Sequence, residues 1–353
     1  MNRRRLTLVG ALLGLAVVSC SPWGRTLVRE GYWESAIALG LIRPEAYVGP
    51  HLWAVAVSPD GSRIAAGGMS RDVQLMDAET GAALASPLRL DSWVMEVGWS
   101  EDGRWFGASS FLGEVTVIEE ATGRTALALR TDDVSYTFAF HPSRPWVAIG
   151  SYDGTLRLAD LEAGTVRWST RASEAGLLFV TFLPDGSALA AAGEEGAVRF
   201  FEPASGAAGR VLPVHGAGVT AVAFSPAGRL MATGGDDAWV RLWDVASGAL
   251  LQEAQPHRGW TNFSAFLPDG NRWVTVGTDD RVYVWSVGDA APRAREGHPG
   301  GLMCVRPFPD GAAFVTSGKD GHVRIWDAGT LDVDRAFDVW GRIDPGGWRW
   351  PAP

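Results

Sequence analysis

Lysine is almost missing from this 353-residue chain: Lys319 is the single one, and arginine stands at every other Lys/Arg position. Arginine suits bidentate carboxylate contacts, although codon usage explains the bias more simply. Basic residues number 31 against 40 acidic ones, a formal charge of -9. An acidic surface argues against nucleic acid as the main partner. Cysteine is scarce, with Cys20 and Cys304 alone, which excludes a cysteine-based metal site. Cys304 sits in the apolar run Leu302-Met303-Cys304-Val305 and reads as a buried, inert thiol. Long apolar stretches are limited to Leu6–Val18, too short to span a bilayer comfortably. EF-hand-like loops, zinc motifs, Walker loops and nucleophile elbows are all lacking, so no metal or cofactor is expected.

What the chain does contain is one pattern repeated seven times. A tight turn recurs at Pro59, Glu101, Pro142, Pro184, Pro226, Pro268 and Pro309, with gaps of 42, 41, 42, 42, 42 and 41 residues. In Ser58-Pro59-Asp60-Gly61 the proline presets φ, the aspartate binds local backbone and the glycine accepts positive φ. A second turn reads Asp-Gly at 153–154 and 320–321, a hairpin signal. Inner runs such as Val219–Phe224 are apolar on both faces, as expected of strands sandwiched between neighbouring sheets. The spacing predicts seven blades starting near residues 52, 92, 134, 177, 219, 260 and 302.

Ala221-Val222-Ala223-Phe224-Ser225-Pro226-Ala227-Gly228, followed by Val240-Arg241-Leu242-Trp243-Asp244, resembles the WD40 repeat. The resemblance covers roughly residues 52–339 and implies an all-β, seven-bladed WD40-like β-propeller. Counting back from Trp243, Thr233 lies 10 residues earlier, Asp237 lies 6 earlier and His215 lies 28 earlier. From Trp285 the same offsets give Thr275, Asp279 and His257; from Trp326 they give Thr316, Asp320 and His298. Three identical sets are expected to be the family's structural tetrads, hydrogen-bonded chains that tie a blade together, rather than three active sites. Met76, Ile118, Ala159 and Phe201 replace the tryptophan in the first four blades, which must rest on apolar packing. The resemblance favours ring closure by an N-terminal outer strand at Leu41-Ile42-Arg43, with 333–339 competing for the same slot. Residues 25–39 instead suit a short helix.

The leader has its own resemblance. Arg3, Arg4 and Arg5 precede the apolar run, which ends Val17-Val18-Ser19-Cys20. This is similar to a bacterial lipoprotein signal, and implies cleavage before Cys20 and lipidation of its thiol, leaving Cys304 without a disulfide partner. The mature chain would then carry 28 basic and 40 acidic residues, a net charge of -12. The expected organisation is 1–19 signal peptide, 20–50 lipidated tether, 51–339 propeller and 340–353 tail. Ser21 follows Cys20, where an aspartate would mark inner-membrane retention, so an outer-membrane location facing the periplasm is expected.

Seventeen tryptophans are present and three belong to tetrads. In WD40 proteins the partner-binding face lies where each blade's first strand begins. Carried onto this sequence, that places Trp53, Trp93, Phe111, Tyr136, Tyr152, Trp260 and Asn262 on one face, a composition enriched at interfaces. The expected function is a non-enzymatic scaffold for a protein or peptide partner, lipid-anchored to a bacterial envelope. A subunit of an envelope assembly complex and an enzyme with a site in the propeller channel are the alternatives. The channel-side positions show no convergent polar set that breaks the repeat.

Overall fold

The computed structural model describes residues 51–339. The repeated turn forms as its residue types dictate. In the first copy Gly61 adopts φ +74° and its N–H donates to Ser58 O at 2.8 Å. The Asp60 carboxylate accepts from Ser58 Oγ at 2.5 Å and from Ser62 N at 3.0 Å. These bonds, that from the Ser58 hydroxyl first, pull the Asp60 carboxyl down to about 2.

Such turns join antiparallel strands into seven four-stranded sheets among the described residues, each built from consecutive strands. The first strands are Leu52–Val57, Val94–Trp99, Thr137–Phe140, Leu177–Phe182, Val219–Phe224, Thr261–Phe266 and Leu302–Pro307. Each packs against the first strand of the next blade, and the seventh packs against the first, so the first strands line the centre of a closed ring. Radial repetition leaves each blade with one free edge, on its short outer strand. The second strands are nearly all buried, as in Trp105–Ser110 and Leu230–Gly235, because blades sandwich them on both faces. The outer strands, such as Ala208–Pro213, are mostly exposed.

Closure differs from the expectation. Blade seven takes its outer strand from Val333–Asp338, which pairs with His322–Asp327 through the turn that follows it. A local hairpin needs far less loop-closure entropy than a strand recruited from the other end of the chain. Residues 41–43, expected in that slot, lie outside the described residues, as do the lipidation candidate Cys20 and the 25–39 helix.

The seam between blades seven and one reuses the contact made elsewhere. Outer-strand side chains bond the backbone of the next blade's outer turn: Arg210 to Ala246 O at 3.2 Å, Arg293 to Thr330 O at 3.0 Å, and, across the seam, Arg335 to Ala78 O at 3.1 Å. Phe337 seats against Gly81 of blade one, where a Cβ would come within 2.2 Å of its ring. Cys304 is buried at the same seam, its thiol 3.7 Å from Val55 O, and burial pushes that thiol up to about 11.

Candidate functional site

The three histidine sets are hydrogen-bonded chains inside their blades. His257 Nδ1 lies 3.0 Å from Asp279 Oδ1, its Nε2 lies 3.1 Å from Thr275 Oγ1, and Trp285 Nε1 donates to that same oxygen at 2.9 Å. The His215–Thr233–Asp237–Trp243 set has distances of 2.9, 2.9 and 3.0 Å, and the His298–Thr316–Asp320–Trp326 set 2.7, 2.8 and 2.8 Å. One arrangement satisfies every group: the histidine donates from Nδ1 to the aspartate and accepts the threonine proton at Nε2, and the threonine oxygen accepts from the indole. Thr275 and Thr316 are wholly buried, and no tetrad imidazole has an exposed side chain. Burial raises the three aspartates, but the histidine bonds outweigh it and hold all three below the usual carboxylate range. Burial holds His298 below the usual histidine value despite Asp320. With both ring nitrogens engaged, these histidines have the geometry of structural ties.

Each network has a fifth member that the sequence reading passed over. Arg241 Nη1 donates to Asp237 Oδ2 at 3.1 Å, Arg324 Nη1 to Asp320 Oδ2 at 2.7 Å, and Tyr283 OH to Asp279 Oδ2 at 3.0 Å. All three stand four residues after the aspartate. Blade four keeps part of the pattern as Glu195 and Arg199, which form an ion pair at the same spacing. The recurrence of arginine two residues before the tryptophan position was the available signal.

The centre of the ring holds a polar constellation that the sequence reading did not find. Arg306 of blade seven donates to Glu96 of blade two at 3.1 Å. Its guanidinium carbon lies 4.1 Å from the ring centroid of Phe263 in blade six, which packs edge-on against Phe179 of blade four at 5.3 Å. Burial pushes the Glu96 carboxyl up to about 6 despite Arg306. Glu96 stands five residues before its turn, where the other blades carry Ala54, Thr137, Phe179, Ala221, Phe263 and Cys304. Arg306 stands three before its turn, where the others carry only Ala, Gly or Thr. A charge at an otherwise apolar or small position was the missed signal. The pair and its aromatic cover cross the centre and tie four blades.

The end of the ring where the first strands begin carries the aromatic candidates. One backbone bond fixes this face seven times: a residue after the second strand donates its N–H to a residue just ahead of the first strand, as Phe111 to Trp93 at 2.9 Å, Tyr152 to Val134 at 2.9 Å and Thr278 to Trp260 at 3.0 Å. Trp53, Phe111, Tyr136, Tyr152 and Trp260 are half-buried there. Trp93 is different. It is fully buried beneath Trp53 and Phe111, with ring centroids 5.6 and 5.5 Å away. It offers a partner no contact area, so its expected role as a direct anchor is replaced by a supporting one. Asn262 is also buried, its amide donating to Leu302 O at 2.7 Å across two blades, and is a packing residue. Tyr136 and Tyr152 meet edge-on at 5.6 Å, and the Tyr152 hydroxyl donates to Glu194 at 2.7 Å. At the seam between blades seven and one, His51 is held down to about 4 by burial and by the neighbouring charge of Lys319.

Comparison with known proteins agrees with this architecture. Residues 45–77, 129–160, 206–244 and 292–327 match the family WD domain, G-beta repeat. A stretch of 85 residues is 34% identical to coronin-7 of Rattus norvegicus, and the same holds for coronin-7 of Mus musculus; it covers 24% of this chain and 9% of those proteins. Over 157 residues the chain is 27% identical to WD repeat-containing protein SL1-17 of Schistosoma mansoni, covering 43% of this chain and 50% of that one. The chain thus aligns with half or less of each relative's length. Repeat spacing, tetrad geometry and the matched segments together make the fold of residues 51–339 a seven-bladed WD40-like β-propeller.

Proposed function

We propose that this protein is a non-enzymatic scaffold that binds a protein or peptide partner on the face where the first strands begin, and that a lipid on Cys20 tethers it to a bacterial envelope membrane, the outer membrane facing the periplasm. The observation that carries the binding half is the set of half-buried rings Trp53, Phe111, Tyr136, Tyr152 and Trp260 at one end of the ring. Large aromatic side chains held by packing lose little entropy on binding and dominate interface energetics. The three histidine tetrads have both ring nitrogens and the threonine oxygen engaged within their own blades, which supports a structural role for them and not a catalytic one. The Val17-Val18-Ser19-Cys20 sequence after a basic, apolar leader supports the tether, and several acyl chains together hold a membrane firmly.

Photo-crosslinking on isolated membranes tests the face. A benzoylphenylalanine at Trp53 or Trp260 is expected to give a discrete adduct, and one at Val211 on the outer strand of blade four none. Adducts of equal yield from both positions, or none from the face, overturn the assignment. For the tether, Cys20→Ala is expected to release the protein from membranes after a high-salt wash; a variant held as firmly as the parent removes lipid as the anchor.

A further inference from the structure

The outer strand of blade seven delivers the chain to the aromatic face. Val339, just past that strand, donates its N–H to Gly321 O at 3.2 Å, in the second turn of the blade. The same bond follows other outer strands, from Thr131 to Gly113 O at 2.9 Å, Ala172 to Gly154 O at 2.9 Å and Val214 to Gly196 O at 3.0 Å. From each of those points the chain runs inward at this end of the ring and begins the next blade's first strand, at Thr137, Leu177 and Val219. Blade seven has no such successor, because Leu52–Val57 already fills the next place in the ring. Residues 340–353 therefore set out from the aromatic end of the propeller, and 14 residues are too few to build another blade.

We infer that residues 340–353 dock on the aromatic face and compete there with the partner, Trp348-Arg349-Trp350-Pro351 supplying the anchoring side chains. The inference rests on the proposed binding face and names its regulation. The composition of the segment matches its seat. It holds Trp340, Trp348 and Trp350 together with Pro345, Pro351 and Pro353, and proline-rich segments dock on aromatic-lined surfaces at low entropic cost. Arg342 and Arg349 meet a face on which blades three to five place Asp132, Glu194 and Asp236, the first of them 92% exposed. The reach is sufficient. A first strand lies three strand spacings, about 14 Å, inward of its outer strand. Trp348 stands nine residues beyond Val339 and can lie about 30 Å from it, which takes in Trp53 and Trp260 of the two flanking blades. Tyr136, Tyr152, Asp236, Trp260 and Lys319 each have an interaction partner within the chain, so an incoming partner has contacts to displace. A segment tethered this closely acts at an effective concentration on the order of 1 mM. A contact of about 0.1 mM in trans is then about 90% closed in cis, which lowers the partner's apparent affinity about tenfold.

The test uses the full chain in isolated membranes. Benzoylphenylalanine is placed at Phe111 or Trp260, with Val211 as the control, and the irradiated chain is digested with trypsin. Cleavage after Arg342 and Arg349 releases Ile343–Arg349 and Trp350–Pro353. A face label is expected to be joined to one of these two peptides, and the Val211 label to neither. Two variants then relieve the competition: a chain that stops after Val339, and the full chain carrying Trp348→Ala/Trp350→Ala. Each, verified as folded by thermal melt, is expected to raise the yield of the partner adduct at Phe111 or Trp260 severalfold. Face labels joined to neither peptide, or a partner adduct of parental yield in both variants, overturn the inference. Partner adducts without adducts to 343–353 leave the binding face standing and remove the segment from it. Adducts to 343–353 with no partner adduct in any of the chains remove the partner from the face, and with it the competition.

Discussion

Replacing Thr275 by valine isolates the hydrogen-bonding part of a tetrad, because the two side chains have nearly the same shape. Thr275 is wholly buried, and its single oxygen serves two partners, accepting from Trp285 Nε1 at 2.9 Å and lying 3.1 Å from His257 Nε2. Thr275→Val leaves both partners in place with nothing to bond. Trp285 is 1% exposed and His257 3% exposed, so water does not replace the lost oxygen. Each orphaned buried group costs about 1–3 kcal/mol, and the pair together about 2–6 kcal/mol. For a domain of this size that corresponds to a fall in Tm of roughly 4–12 °C. Thermal melts read it, with the exposed Thr165→Val as the control. Blade three shows the apolar alternative, since Ile149 occupies the threonine position and Ala159 the tryptophan position. Removing all polar members of blade six together, with well-packed apolar replacements, is therefore expected to cost less than Thr275→Val alone. A Thr275→Val protein that melts with the parent, or a summed loss that simply adds with each polar group removed, would refute the account of the tetrads as mutually satisfied ties.

Three further outcomes follow from the same geometry. Trp93→Ala opens a cavity beneath Trp53 and Phe111 and is expected to cost about 3–5 kcal/mol in denaturant titrations, whereas Trp260→Ala on the half-buried surface costs much less; equal losses would contradict the placement of Trp93 under the face. Glu96 has its carboxyl raised from 4.5 to about 6 by burial, so the folded protein takes up this proton before the unfolded chain does. Its contribution is then most favourable below pH 4.5 and declines by about 2 kcal/mol in all as pH rises through about 6. The tetrad aspartates, held low, act in the opposite sense and lose stability as pH falls, so the Glu96 effect is read as the difference between the parent and Glu96→Gln across that window; parallel curves would exclude it. Cys304, buried and with its thiol raised to about 11, is expected to react with an aromatic disulfide reagent only as fast as the protein unfolds; rapid reaction in the native state would place it at an open seam.

The local and periodic features of this protein are written in its sequence. A proline, an aspartate and a glycine in order make a turn through bonds that span only a few residues, so Ser58–Gly61 and its copies mark the first hairpin of each blade before any packing exists. Fixed offsets do the same for the tetrads, because a regular blade turns equal sequence spacing into equal geometry: His215, His257 and His298 each sit 22 residues before their aspartate partner. Features that depend on contact between blades were set by tertiary structure. Arg306 meets Glu96 across 210 residues, and no local rule joins them. Trp93 and Trp260 occupy equivalent positions and look alike in sequence, yet one is buried and the other half-exposed, because Trp93 has Trp53 and Phe111 closing over it. The terminus that fills blade seven was decided in the same way: two segments had suitable spacing, and the one a short turn away, Val333–Asp338, took the slot. Sequence period determines what each blade is, and packing around the closed ring determines which side chains it buries and which it presents.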